Sequence, residues 1–249
     1  MGAERSGIEW THSTWNPVTG CSKVSPGCAH CYAERLSLRF RSSRKPWLPA
    51  NAAENVVLHP ERLDQPLRWR RPRLIFVNSM SDLFHEQVPL SFIEQVFEVM
   101  TEADRHVFQI LTKRHERLVE LAPSLVWPRN VWMGVSIENR RWAERADALR
   151  EVPAAVRFIS AEPLLGSLAD LDLSGIDWLI AGGESGPGHR PVRPEWVREL
   201  RDACREQSVP FFFKQWGGIR SKTGGRRLDG KLHSQLPRRT PRALRAVLA

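Results

Sequence analysis

A chain of 249 residues with 41% hydrophobic content is long enough for one large core, and α/β barrels commonly fill this length as a single domain. No stretch of about eighteen apolar residues exists, and the opening MGAERSGIEWTHSTW lacks the basic-then-apolar layout of a signal peptide, so a soluble, cytoplasmic protein without membrane contact is expected. The net charge of +9 is segregated: residues 214–249 hold ten Lys/Arg against one acid, residues 35–73 ten against three, and such blocks are either solvated faces or nucleic-acid contacts.

In chain order, the first feature is WNPVTGCSKVSPGCAHCYAE, which places Cys21, Cys28 and Cys31 within eleven positions. In a reducing compartment, clustered thiols point to metal or redox chemistry rather than to a disulfide scaffold. The segment 41–73 has five prolines and little periodicity, and reads as an insertion over a site or as a disordered loop. Six apolar runs follow: LIFVN from Leu74, VFQIL from Val107, VWMGV from Val131, VRFIS from Val156, WLIAG from Trp178 and FFF from Phe211. Continuous runs of this kind fit strands of a parallel sheet covered on both faces.

Helical patterns fill the gaps. Ser91 and Glu94 form a capping-box pattern ahead of Phe92, Ile93, Val96, Phe97 and Met100. Trp142, Ala146 and Leu149 share a face, as do Trp196, Val197, Leu200 and Cys204 after Pro194. GGIRSKTGGRRLDGK reads as a flexible linker, and Thr240-Pro241 start a last helix burying Leu244, Val247 and Leu248. The alternation implies α/β architecture with a parallel sheet, either doubly wound or a partial or complete barrel. A barrel is favoured because most runs end in polar residues, which a barrel gathers at one mouth. One domain over 1–218, with the cysteine loop 21–31 and the insertion 41–73, and a basic extension over 219–249 are therefore expected. Trp15, Trp132, Trp178 and Trp216 read as core residues or as base-stacking rings.

The gap of two residues between Cys28 and Cys31 lets both thiolates face one centre, and Pro26-Gly27 supplies a tight turn that frees N–H groups for sulfur. Zinc in a closed site needs a fourth ligand, with His12, His30 or a distant residue as candidates. A cubane iron–sulfur cluster held by three thiolates keeps one iron open, and S-adenosylmethionine (SAM) offers an amino group and a carboxylate to such an iron. Cys204 falls on an apolar helix face and reads as a core residue.

Cys21, Cys28 and Cys31, with His30 before the last and Tyr32-Ala33-Glu34 opening a helix, resemble the cluster loop after the first barrel strand of the radical SAM superfamily. The stretch IEWTHSTWNPVTGCSKVSPGCAHCYAERL, together with MSDLFH, SIEN, SAEPLLG and GGESGPGHRP, resembles a phage-associated three-cysteine-motif family over about Ile8 to Gly218. The resemblance implies a partial or complete (β/α) barrel of radical SAM type with parallel strands, a 4Fe-4S cluster on the three cysteines, and SAM as cofactor. The resembled family's own role is unassigned; the superfamily implies an enzyme that generates a 5′-deoxyadenosyl radical, the family a dedicated partner protein, and the basic segments with the phage association point to nucleic acid or a modified nucleotide as substrate. The alternatives are an iron–sulfur or zinc protein that only binds nucleic acid, and a zinc hydrolase using Glu162 or Glu184.

By position, the resemblance gives Ser79 or Asp82 to the SAM ammonium, and Ser136 and Glu138 to ribose hydroxyls. Glu162 closes the fifth strand, and Lys113 and Arg114 face the SAM carboxylate or a substrate phosphate. Gly183 and Glu184 belong to a Gly-Gly-Glu that follows the sixth strand, where substrate or adenine contact is expected. The chain departs from the commonest superfamily pattern in having six residues, not three, between the first two cysteines. His12 stands where an acid is expected and receives no role.

Overall fold

The computed structural model describes residues 6–220 and 222–245. The chain enters through β1 (Ser13–Trp15), followed by a short antiparallel pair, β2 (Val18–Thr19) with β3 (Val57–Leu58). Between these two lie α1 (Tyr32–Arg39) and α2 (Ala52–Asn55). The six apolar runs form β4 (Leu74–Val77), β5 (Val107–Thr112), β6 (Val131–Ser136), β7 (Val156–Ala161), β8 (Trp178–Gly182) and β9 (Phe211–Gln215). The sheet order is β1-β4-β5-β6-β7-β8-β9, every pairing is parallel, and β1 and β9 are the two edges of a curled half-barrel. The barrel is thus partial rather than complete.

The outer face is covered by α3 (Leu90–Glu102), α4 (His115–Leu121), α5 (Arg145–Arg150) and α6 (Pro194–Glu206). Phe92, Ile93, Val96, Phe97 and Met100 of α3 are buried as their spacing predicts. The capping box is not made: α3 starts at Leu90 after Pro89, so Ser91 already lies inside the first turn and no side chain caps the end. Trp142 belongs to a separate 3-10 turn before α5.

The concave face fills with rings from alternate strand positions. Phe76, Trp132, Phe158, Trp178 and Phe212 are buried there with Trp10 and Leu244, which arrive from outside the sheet. Trp178 meets Trp10, Trp132 and Phe212 edge-on at centroid distances of 6.2, 6.3 and 6.0 Å, the orientation that ring quadrupoles favour. Gly134 makes this possible, since a Cβ there would lie 2.4 Å from the Phe158 ring. Trp15 is also fully buried, in the outer core, and Trp216 packs edge-on against Phe213.

The C-terminal segment returns to the barrel instead of trailing from it. After the hairpin of β10 (Arg227–Leu228) and β11 (Lys231–Leu232), His233 to Gln235 run antiparallel along the β9 edge. Phe213 N–H donates to His233 O at 2.9 Å and Gln235 N–H to Phe211 O at 3.2 Å. An otherwise open edge is thereby covered. Then α7 (Arg242–Arg245) inserts Leu244 into the base of the barrel. Val247 and Leu248, expected on this helix, lie outside the described residues.

The insertion 41–73 is likewise packed. Trp47 and Trp69 are buried, and Trp15 Nε1 donates to Arg62 O at 2.8 Å. No helix among the described residues is long and apolar enough to cross a membrane.

Candidate functional site

All seven barrel strands end at one mouth, and the cysteine loop crosses it. Gly20, at φ 83°, turns the chain out of β2; a Cβ there would sit 1.8 Å from Asn55 O, so only glycine fits between loop and insertion. From Pro26 to Cys28 the loop is a 3-10 turn, with Cys28 N–H donating to Ser25 O and Cys31 N–H to Cys28 O. Cys31 then occupies the N-cap position of α1 without a side-chain capping bond.

Each cysteine-bearing stretch has its own polar clamp. Beside Cys21, the Ser22 hydroxyl receives Arg114 Nη2 at 2.9 Å and meets His85 Nε2 at 2.9 Å. Gln87 N–H donates to His85 Nδ1 at 3.0 Å, so the proton sits on Nε2 and points at Ser22. Burial and then the Arg114 charge pull His85 down to about 4, keeping it neutral. Beside Cys28, Ser25 Oγ donates to Glu138 Oε1, while Arg145 Nη1 donates to Glu138 Oε2 at 3.0 Å. Glu138 and Arg145 are wholly buried, and Arg145 also lies 4.1 Å over the Trp142 ring. A Cβ on Gly27 would come within 2.4 Å of Glu138, so loop and carboxylate are in closest contact here. Beside Cys31, buried Glu34 accepts from Trp47 N–H at 2.8 Å and pairs with Lys23 at 2.9 Å.

The three thiols wall one cavity of about 150 Å³ together with Asn78, Ser79, Asp82, Lys113, Arg114 and Ser136. Of the residues singled out by position, Ser79, Asp82, Lys113, Arg114 and Ser136 therefore line the same cavity as the cysteines. Asp82 is already engaged: its carboxylate accepts from Thr112 Oγ1 at 2.7 and 2.9 Å, Phe84 N–H at 3.0 Å and Lys113 N–H at 3.1 Å. Ser79 Oγ donates to Asn16 Oδ1 at 3.2 Å. Asn78 opens the segment 78–82 that the resemblance gives to the SAM ammonium, although the sequence favours Ser79 and Asp82 within it. Asn78 is buried at φ 60°, and its carboxamide nitrogen has no hydrogen-bond partner among the described residues.

Glu138 lies behind this cavity, committed to Ser25 and Arg145, with Lys113 Nζ 3.8 Å away. Glu162, Gly183 and Glu184 line a second, larger cleft of about 660 Å³. Cys31, Tyr32 and Lys113 border both spaces. Glu162 pairs with Lys214 at 2.9 Å. Glu184 accepts from Arg190 N–H and Nε, each at 2.9 Å; burial pushes its carboxyl up, but the Arg190 bonds and charge outweigh burial and hold it below the usual carboxylate range. Arg190 Nη2 also donates to Pro26 O at 2.9 Å, tying the Gly-Gly-Glu loop to the cysteine loop.

Cys204 is buried in the outer core, where burial pushes its thiol up to about 12. His12 sits at the base, its Nδ1 accepting from Leu74 N–H at 2.9 Å, remote from the mouth. Arg145 could have been found in sequence: it falls on the Trp142, Ala146, Leu149 stripe, where a buried cation demands an acid.

Solved structures share this fold. A spore photoproduct lyase variant with dinucleoside spore photoproduct matches at a TM-score of 0.53 and 14% identity, over 82% of this chain and 76% of that one. Another, with bound AdoMet and dinucleoside spore photoproduct, matches at 0.50 and 16% identity, over 83% and 77%. The likeness shows the fold, a partial barrel of radical SAM type. No curated protein matches in sequence. The profile described as "Protein of unknown function (DUF5131)" matches residues 5–237, nearly the whole length, and the chain belongs to that family.

Proposed function

We propose that this protein is a radical SAM-type enzyme in which Cys21, Cys28 and Cys31 hold a 4Fe-4S cluster and SAM occupies the space beside it. The observation that carries the reading is the single cavity walled by the three thiols, Asn78, Ser79, Asp82, Lys113 and Ser136, opening next to a substrate-sized cleft in a half-barrel of radical SAM type.

The residues fit the group. Cys21, Cys28 and Cys31 line one cavity, and a cubane would take each thiolate on a different iron. Burial pushes the Cys21 and Cys31 thiols up, so a positive centre is needed to hold them as thiolates. The unpartnered Asn78 carboxamide is a donor for an acceptor atom on a bound molecule.

A cluster held by Cys21, Cys28 and Cys31 with SAM beside it would, given one electron from an external reductant, supply reductive cleavage of the sulfonium and with it hydrogen-atom abstraction. The chain's own residues do the rest. The three clamps fix the cysteine loop before any cluster arrives. Lys113, between cavity and cleft, brings a positive charge to a carboxylate or phosphate. Asp82 orders the exits of β4 and β5 rather than offering a free carboxylate. Glu162 and Glu184, each paired, hold the far wall of the cleft.

The test is reconstitution without oxygen, then assay for SAM-dependent release of 5′-deoxyadenosine. Release above the level of a C28A variant is expected; a reconstituted, reduced protein that binds SAM without cleaving it contradicts the reading. A colourless protein with zinc and no sulfide would favour the zinc alternative.

A further inference from the structure

The cleft of about 660 Å³ has an unbalanced wall. Each of its carboxylates is matched: Glu9 with Lys222 at 3.1 Å, Glu162 with Lys214 at 2.9 Å, Glu184 with Arg190. Arg35, Arg39 and Arg220 line the same cleft, and among the described residues none of them has an acidic partner. Arg35 reaches only the Ser185 carbonyl, at 3.5 Å. Lys113 shares Glu138 with the closer Arg145. The cleft therefore carries surplus positive charge near the cysteines, on both walls.

Its geometry is as specific as its charge. Tyr32, Arg35, Leu36 and Arg39 are spaced i, i+3, i+4 and i+7, so they form one stripe of α1 facing the cleft, while Ala33, Glu34 and Ser37 bury the opposite side. Tyr32 is 43% exposed, yet its hydroxyl is anchored to Ser79 O at 2.6 Å, which fixes the ring in place. Leu36, 38% exposed, lies between Arg35 and Arg39 in the lining; Phe40, 71% exposed at the rim just past α1, carries the Arg39 guanidinium over its ring, and Ile219, 65% exposed, lines the cleft next to Arg220. Cations alternating with exposed apolar faces are what a single strand requires: the cations track phosphates and the flat or apolar groups receive unstacked bases. A small anionic metabolite would leave that apolar surface unused.

We propose that this cleft binds single-stranded nucleic acid, with Arg35, Arg39 and Arg220 on phosphates and Tyr32 under a base. The assignment deepens the radical SAM reading by naming its substrate class, but binding does not depend on that chemistry. A separate basic groove, lined by Arg205, Lys231, Arg238 and Arg245 and sharing no lining residue with this cleft, serves as the control.

The test is fluorescence anisotropy of the cluster-loaded protein, without reductant, on a labelled mixed-sequence single strand of DNA or RNA, the matching duplex, and unlabelled mononucleotide as competitor, over a salt series. Preference for a single strand over duplex is expected, with mononucleotide competing poorly. R35E/R39E should weaken binding more than tenfold and flatten the log–log salt slope by about 1.4, at about 0.7 per phosphate contact. Y32A should cost roughly tenfold at every salt concentration. K231E/R238E should bind as the parent does. Unchanged binding in R35E/R39E and Y32A with cluster absorption intact, equal affinity for duplex, equal competition by mononucleotide, or loss of binding only in K231E/R238E would each overturn the assignment. Strand binding without SAM cleavage would sink the radical reading alone; SAM cleavage without strand binding would sink this one alone.

Discussion

The two ends of the half-barrel are built from opposite materials. At the base, Trp10, Trp132, Trp178, Phe212 and Leu244 seal the concave face with rings and aliphatic carbon. At the mouth, three clamps of buried charge and hydrogen bonds, centred on Arg114, Glu138 and Glu34, hold the cysteine loop. Apolar packing is non-directional and stabilises in proportion to area, so the base supplies stability. Hydrogen-bonded ions are directional and costly to desolvate, and what they contribute at the mouth is the position of three thiols.

That contrast can be broken by substitution. W178A, at the centre of the base, should cost about 3–5 kcal/mol in urea unfolding, while the folded fraction still loads iron; loss of iron loading in the folded fraction would show that the two ends are not separable. E138Q leaves Arg145 buried without its counter-ion and should cost about 3 kcal/mol, together with a loss of iron retention disproportionate to stability. If E138Q loads iron normally, the clamp is structural only.

The smallest effect concerns pH. His85 is held near 4 in the folded state against an ordinary 6.5, so the unfolded chain takes up its proton first as pH falls. Stability at the mouth should therefore decline between about pH 6.5 and 4, by on the order of 2 kcal/mol, and this slope should flatten in H85Q. A parent protein whose urea midpoint is level across that window would contradict the Ser22–His85–Arg114 arrangement.

What could be read from sequence follows the same division. The six long strands are legible because burial on both faces demands unbroken apolar runs. β1 is only Ser-Thr-Trp on an edge, too short and polar to register except through the likeness of the cysteine loop that follows it. The Ser91 capping pattern misleads because the helix begins at Leu90, after Pro89, one residue before that serine. The C-terminal cations read as a tail because a strand added by backbone bonds from His233 to Gln235 leaves no periodic trace. At the mouth, the cysteines are legible from spacing alone. Glu138, chosen for its carboxylate, is committed to Arg145 and to Ser25, 113 positions away, and Asn78, set behind its neighbours Ser79 and Asp82, has a carboxamide nitrogen without a partner among the described residues; neither fact leaves a mark in the local sequence.

The central claim is that the three thiols hold a cluster with one uncommitted iron. Iron and sulfide content, read with the visible absorption of protein prepared without oxygen, tests it most directly. About four irons and four sulfides per chain, lost in C21A, C28A and C31A but kept in C204A, is the expected result. Iron below one per chain in the parent, or loss of the cluster in C204A, would contradict it.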